Sequence, residues 1–172
     1  DNPSRGSANA KVVIQVFADF QCNHSRRANE TLALVEQRYG DRVRIVWRHR
    51  PVPLHPAAPL ASEAAQEVFA QKGNEAFWKY HALLFENQLA PGGLDRPALE
   101  RYATQVGVDI ARFKAALDNH TRKPAVDADQ QIAEAARIVS TPTFLINGYY
   151  LAGAVQFHDF RKLIDRALRE AK

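Results

Sequence analysis

The feature that most constrains this chain is a short apolar stretch that stops just before its one cysteine. Residues 11–20 are rich in Val, Ile and Phe and too few for most helices, so they predict a buried strand. Cys22 stands just beyond its end. From residue 26 to residue 39, Ala28, Leu32, Val35 and Tyr39 recur at helical spacing, and Gly40 stands where a helix commonly stops. Residues 42–49 then alternate Val43, Ile45 and Trp47 against Arg44, Val46 and Arg48, which predicts a half-buried strand ended by Pro51, Pro53, Pro56 and Pro59. Strand, cysteine turn, helix and strand make a parallel crossover.

Beyond the prolines the pattern becomes helical throughout, with helices predicted at 60–72, 75–88, 95–106, 109–119 and 123–137. Gly73-Asn74, Pro91-Gly92-Gly93 and Gly107 mark the breaks, and Asp95 and Asp109 are placed as amino-terminal caps. Residues 143–146 and 149–152 read as a hairpin, because Asn147-Gly148 supplies the positive φ angles of a two-residue turn. An amphipathic helix over 157–171 closes the chain, and the polar residues 1–9 are expected to be a loose start. The sum is an α/β chain ordered β-α-β, helical block, β-β-α, its sheet set around one helix that begins at the cysteine. Phe77, Trp78, Tyr80 and Phe85 are expected to be core residues and not a cofactor box, and His55 and His81 are expected to be structural.

Composition narrows the function. The chain has 172 residues, 46% of them hydrophobic and 24% charged, which fits one globular domain able to bury a core unaided. The longest apolar run, from Val12 to Ala18, is broken by Gln15 and falls far short of the roughly 20 residues of a membrane span. A net charge of +4 is spread through interleaved signs, as in Arg161-Lys162-Leu163-Ile164-Asp165-Arg166, and no basic stripe with aromatics argues for nucleic acid. With one cysteine there is no internal disulfide and no cysteine-rich zinc site. His24, His49, His55, His81, His120 and His158 lack ligand spacing, so neither metal nor cofactor is expected.

The strings "FADFQCNHS", "VWRHRPVPLHPAAPLASEAAQ", "FWKYHALLFENQ" and "VSTPTFLING" together resemble the DsbA-like thioredoxin-fold family, from about residue 11 to the end. The resemblance implies one domain over 10–172, with thioredoxin parts at about 10–56 and 139–172 and a helical insertion at about 57–138. It implies thiol:disulfide interchange of the oxidoreductase or isomerase type. Cys22 becomes the nucleophile, and Thr141-Pro142 the cis-proline pair that binds substrate backbone. The family's second cysteine is replaced by Ser25, giving Cys22-Asn23-His24-Ser25, a string that natural variation and a trapping substitution would both produce. The implied partners are cysteine-containing unfolded or partly folded proteins and a redox partner protein, membrane-bound or free. The family and the absence of an initiator methionine predict a periplasmic or otherwise extracytoplasmic site.

The chemistry of such a site can be stated from the residues alone. Thiolate is the attacking species, and an unperturbed cysteine is only about 3% ionised at pH 7. A helix amino terminus favours the anion through its free N–H groups and dipole. His24 would add charge or a hydrogen bond, and the Ser25 hydroxyl one more. Without a resolving thiol the protein can form a mixed disulfide but cannot release it by closing its own ring. The rival reading is a redox-inactive thioredoxin-like domain that binds peptides or acts as a chaperone. A glutathione-transferase-like reading is weaker, because there the helices follow the thioredoxin unit and here they interrupt it.

Overall fold

The computed structural model describes residues 1–171. Its strands are β1 (Ser4–Gly6), β2 (Val12–Ala18), β3 (Val43–His49), β4 (Thr143–Ile146) and β5 (Tyr149–Ala152). The helices are α1 (Asn23–Tyr39), α2 (Ala58–Asn87), α3 (Arg96–Gln105), α4 (Ile110–Asp118), α5 (Lys123–Ala135) and α6 (Phe157–Glu170). The strands form one sheet in the order β1-β3-β2-β4-β5. β2 and β3 run parallel, with Val12 opposite Val43 and Ala18 opposite His49, as the crossover through α1 requires. The other pairings are antiparallel. This is the expected α/β thioredoxin fold, interrupted by a helical insertion from α2 to α5.

Sequence signals account for most element ends. α2 is two helices in succession, as read at 60–72 and 75–88, and the break falls at Gly73, which takes φ 74° and ψ −162°, a conformation that glycine reaches without a Cβ clash. Asp109 caps α4 by accepting from the Arg112 N–H, whereas Asp95 precedes α3 in extended conformation without a side-chain cap bond. At Asn147, φ is 45°, and its side chain also bridges back to β2, accepting from Val13 N–H at 2.8 Å and donating to Lys11 O at 2.9 Å.

The start of the chain departs from expectation. Residues 1–9 are not loose, because Ser4–Gly6 pairs antiparallel with β3 as an edge strand. Trp47 N–H donates to Pro3 O at 2.8 Å, and Ser4 N–H donates to Asn74 Oδ1 at 2.6 Å. Three residues are too few to carry a periodic signal, and their partners lie far along the chain.

The core joins the sheet to the insertion through aromatic rings. Phe20 stacks on Trp47 with centroids 4.9 Å apart, and His81 meets Trp47 edge-on at 4.7 Å. Phe77 and Phe85 complete the packing around them. His49 lies in the same layer: its Nδ1 accepts from Trp47 Nε1 at 3.1 Å, which leaves the Nε2 hydrogen to Gln66 Oε1 at 3.1 Å. Burial pushes the His49 pKa down, with Asp129 and Gln66 partly opposing it. His81 is driven well below the ordinary value by burial, then by Arg5 and His49.

Both rings fold as neutral imidazoles, and the unfolded chain binds the extra protons. The stability they allow is present above the unfolded value of about 6.5 and is lost as pH falls from there toward the depressed folded values. The melting temperature is expected to drop between pH 7 and pH 5, and His81→Phe is expected to flatten that drop. An unchanged slope in His81→Phe would rule out this source.

Candidate active site

The loop between β2 and α1 is held by Asp19, whose side chain is fully buried. Its Oδ1 accepts from Gln21 N–H at 2.7 Å and Cys22 N–H at 3.2 Å. Its Oδ2 accepts from Val52 N–H at 2.8 Å and His55 Nδ1–H at 2.8 Å. Gln21 Oε1 accepts from Ala57 N–H at 2.7 Å. The cysteine loop and the proline-rich loop after β3 are therefore tied together from both sides.

Cys22 is the residue that caps α1, in extended conformation, with its carbonyl accepting from Arg26 N–H at 3.1 Å. The first turn of α1 carries no acidic side chain, and the one carboxyl bonded to the helix start is that of Asp19 in the preceding loop. The sulfur is 6% exposed as part of its residue and donates to Thr141 O at 3.4 Å. The Thr141–Pro142 peptide bond is cis, Pro142 is buried and Thr141 half-buried. Sequence positions 119 residues apart thus meet at one sulfur atom.

The remaining site residues divide. Ser25 is buried, and its hydroxyl accepts from Asp19 N–H at 3.3 Å, so its hydrogen bond goes to the loop and not to the cysteine sulfur. His24 is exposed on the first turn, and among the described residues it makes no hydrogen bond to Cys22. No group of three or more His, Cys, Asp or Glu suited to a metal ion occurs among the described residues. Asp19 and His55 are the functional candidates that sequence reasoning missed or read as merely structural. The signal was an acidic residue at the end of an apolar strand, three positions before the cysteine.

Exposed apolar side chains stand beside several segments that bond to the cysteine loop. The three most exposed large hydrophobic residues among those described are Leu54 at 89%, Val139 at 81% and Leu89 at 70%. Each is next to a segment bonded to the site. Leu54 sits between Val52 and His55, Val139 lies two residues before Thr141, and Leu89 follows Gln88, whose Nε2 donates to Phe20 O at 2.7 Å.

A protein-family model described as thioredoxin matches residues 1–166. Among solved structures, the oxidised BdbD of Bacillus subtilis superposes with a TM-score of 0.89 at 21% identity, covering 98% of this chain and 93% of that one. A thioredoxin-like oxidoreductase from Silicibacter pomeroyi gives 0.83 at 23% identity, covering 99% and 94%. DsbA2 of Pseudomonas aeruginosa gives 0.73 at 25% identity, covering 96% and 93%. Curated relatives include the Na(+)/H(+) antiporter NhaA 3 of Salinispora tropica, 36% identical over 84% of this chain, and NhaA of Herminiimonas arsenicoxydans, 31% identical over 96%. The chain spans only 21% and 25% of the lengths of those two relatives.

Proposed function

The chain belongs to the thioredoxin family, and from that premise we propose that it exchanges protein disulfides through the single nucleophile Cys22. The observation that carries this reading is the placement of the one thiol at the start of α1, against the carbonyl of Thr141 in the cis Thr141–Pro142 pair. A helix start favours the thiolate, and the exposed Leu54, Val139 and Leu89, each beside a segment bonded to the site, suit an unfolded or partly folded polypeptide bearing cysteine.

The step is as follows. The Cys22 thiolate attacks one sulfur of a substrate disulfide, that S–S bond breaks, a Cys22–substrate disulfide forms, and the departing thiolate takes a proton from water. When Cys22 loses its hydrogen, the bond from Sγ to Thr141 O is lost, and that carbonyl is free to accept from substrate backbone laid across the site. A second thiol of the substrate then attacks the substrate sulfur of the mixed disulfide. This returns the Cys22 thiolate and leaves a rearranged substrate disulfide, with no net oxidation. Such a cycle is an isomerisation and needs no second cysteine. Net oxidation or reduction would need a separate thiol or redox partner protein to finish the exchange. We place the work outside the cytoplasm, where protein disulfides persist.

The test is to mix the reduced protein with a disulfide-bonded substrate protein and quench with acid. A mixed disulfide at Cys22 that persists until a thiol is added, and is absent in Cys22→Ala, is the expected result. The second reading, a peptide-binding domain without redox chemistry, draws on the low exposure of Cys22. Peptide binding that survives in Cys22→Ala, with no adduct in the parent protein, would select it.

A further inference from the structure

Four N–H donors converge on the two oxygens of the Asp19 carboxyl group, and a protonated acid would have to present a donor of its own to one of them. The arrangement is that of a carboxylate. It is fully buried, and it lies one hydrogen bond from the backbone of Cys22. Facing that carboxylate, His55 presents a hydrogen on Nδ1. The His55 side chain is 28% exposed, so the pair reaches from the buried loop to the surface.

We propose that Asp19 restrains the reactivity of Cys22 and that His55 is a positioning residue that acts on the sulfur only through Asp19. A fixed negative charge close to a thiol disfavours the thiolate, and at short range in a partly buried site that effect is large enough to decide a rate. The same carboxylate fixes the Gln21 and Cys22 amides and so sets the start of α1. His55 offsets the carboxylate's field from the other side and holds it in register with the proline-rich loop. This rests on Cys22 being the attacking group, as proposed above.

The experiment follows the second-order reaction of the folded protein with 2,2′-dipyridyl disulfide at pH 7, reading the released thione by absorbance, with melting temperatures measured in parallel. In the exchange the Cys22 thiolate bonds to one sulfur of the reagent and the other leaves as the thione. Asp19→Asn keeps an oxygen for the Gln21 and Cys22 amides while removing the charge, and is expected to react about tenfold faster even though its melting temperature falls. His55→Ala is expected to react several-fold slower. The double variant is expected to match Asp19→Asn, because His55 has nothing left to act through.

A purely structural pair would lower all three melting temperatures and leave the rates of the folded proteins equal, which would overturn the proposal. So would a slower Asp19→Asn, or a double variant in which the His55 loss reappears. A parent protein that does not react with the reagent at all would instead count against Cys22 as the nucleophile.

Discussion

Ser25→Cys is expected to turn a protein whose net reduction of a substrate stalls at the mixed disulfide into one that completes it. Ser25 is buried in the first turn of α1, three residues after the capping Cys22, and residues at that spacing on a helix have Cα atoms about 5 Å apart. Two sulfurs so placed satisfy the reach of a disulfide. The introduced thiolate attacks Cys22 Sγ of the mixed disulfide, the substrate leaves with both its sulfurs reduced, and the protein keeps the two electrons' worth of oxidation as an internal disulfide. Dithiothreitol then restores the dithiol.

Release of substrate becomes intramolecular, and well-oriented groups behave as if at effective concentrations of about 10⁵ M or more. Even with most of that advantage lost to imperfect geometry, release of reduced substrate protein from the mixed disulfide, followed before any dithiothreitol is added, is expected to be at least about a hundredfold faster than in the parent. The price is small, since a thiol accepts more weakly than the hydroxyl it replaces and Asp19 N–H keeps a poorer partner. A folded Ser25→Cys protein with no faster release would remove the oxidoreductase reading, because every other part of the site would be in place.

Trp47→Ala is expected to cost more stability than any other single truncation in the protein. Trp47 is 1% exposed in β3, stacked on Phe20, edge-on to His81, and donates Nε1–H to His49. Removing a buried Trp or Phe side chain costs about 3–5 kcal/mol, and His49 Nδ1 would be left buried without its donor at a further cost of about 1–3 kcal/mol. Domains of this kind have only about 5–15 kcal/mol in total. Urea unfolding is expected to show a midpoint shifted far to lower denaturant, or no folded baseline. Trp47→Phe, which keeps a ring on Phe20 but loses the donor, should retain a measurable transition with a smaller loss. A deficit below about 1 kcal/mol in Trp47→Ala would mean that the aromatic layer does not hold the insertion to the sheet.

What could be read from the sequence was set by how locally each element is determined. The hairpin at Thr143–Ile146 and Tyr149–Ala152 has the predicted limits, because Asn147-Gly148 fixes turn and register within six residues of itself. The strand before Cys22 and the helix after it were legible for the same reason, through period and stop signals in adjacent residues. β1 was not, since its three residues become a strand only by meeting β3 and Asn74. Asp19 was invisible as a site residue because two of its four donors, Val52 and His55, stand 33 and 36 positions away. Ser25 was identified by position but its hydrogen bond was not, since a buried hydroxyl in a first helical turn can reach several backbone groups and only packing selects one.

The helical insertion leaves the sheet through the proline-rich loop that holds Asp19 and returns to it through the segment that presents Thr141 to Cys22. Both of its seams therefore border the thiol, while the bulk of its helices lies between them in the chain. α3 and α4 pack chiefly on α2 and on each other, so variation inside them leaves the sulfur's own frame in place, whereas a single residue gained or lost at either seam would move the reactive atom itself. An exchange of insertions between relatives should therefore be cut inside α2 and α5, never at their outer ends.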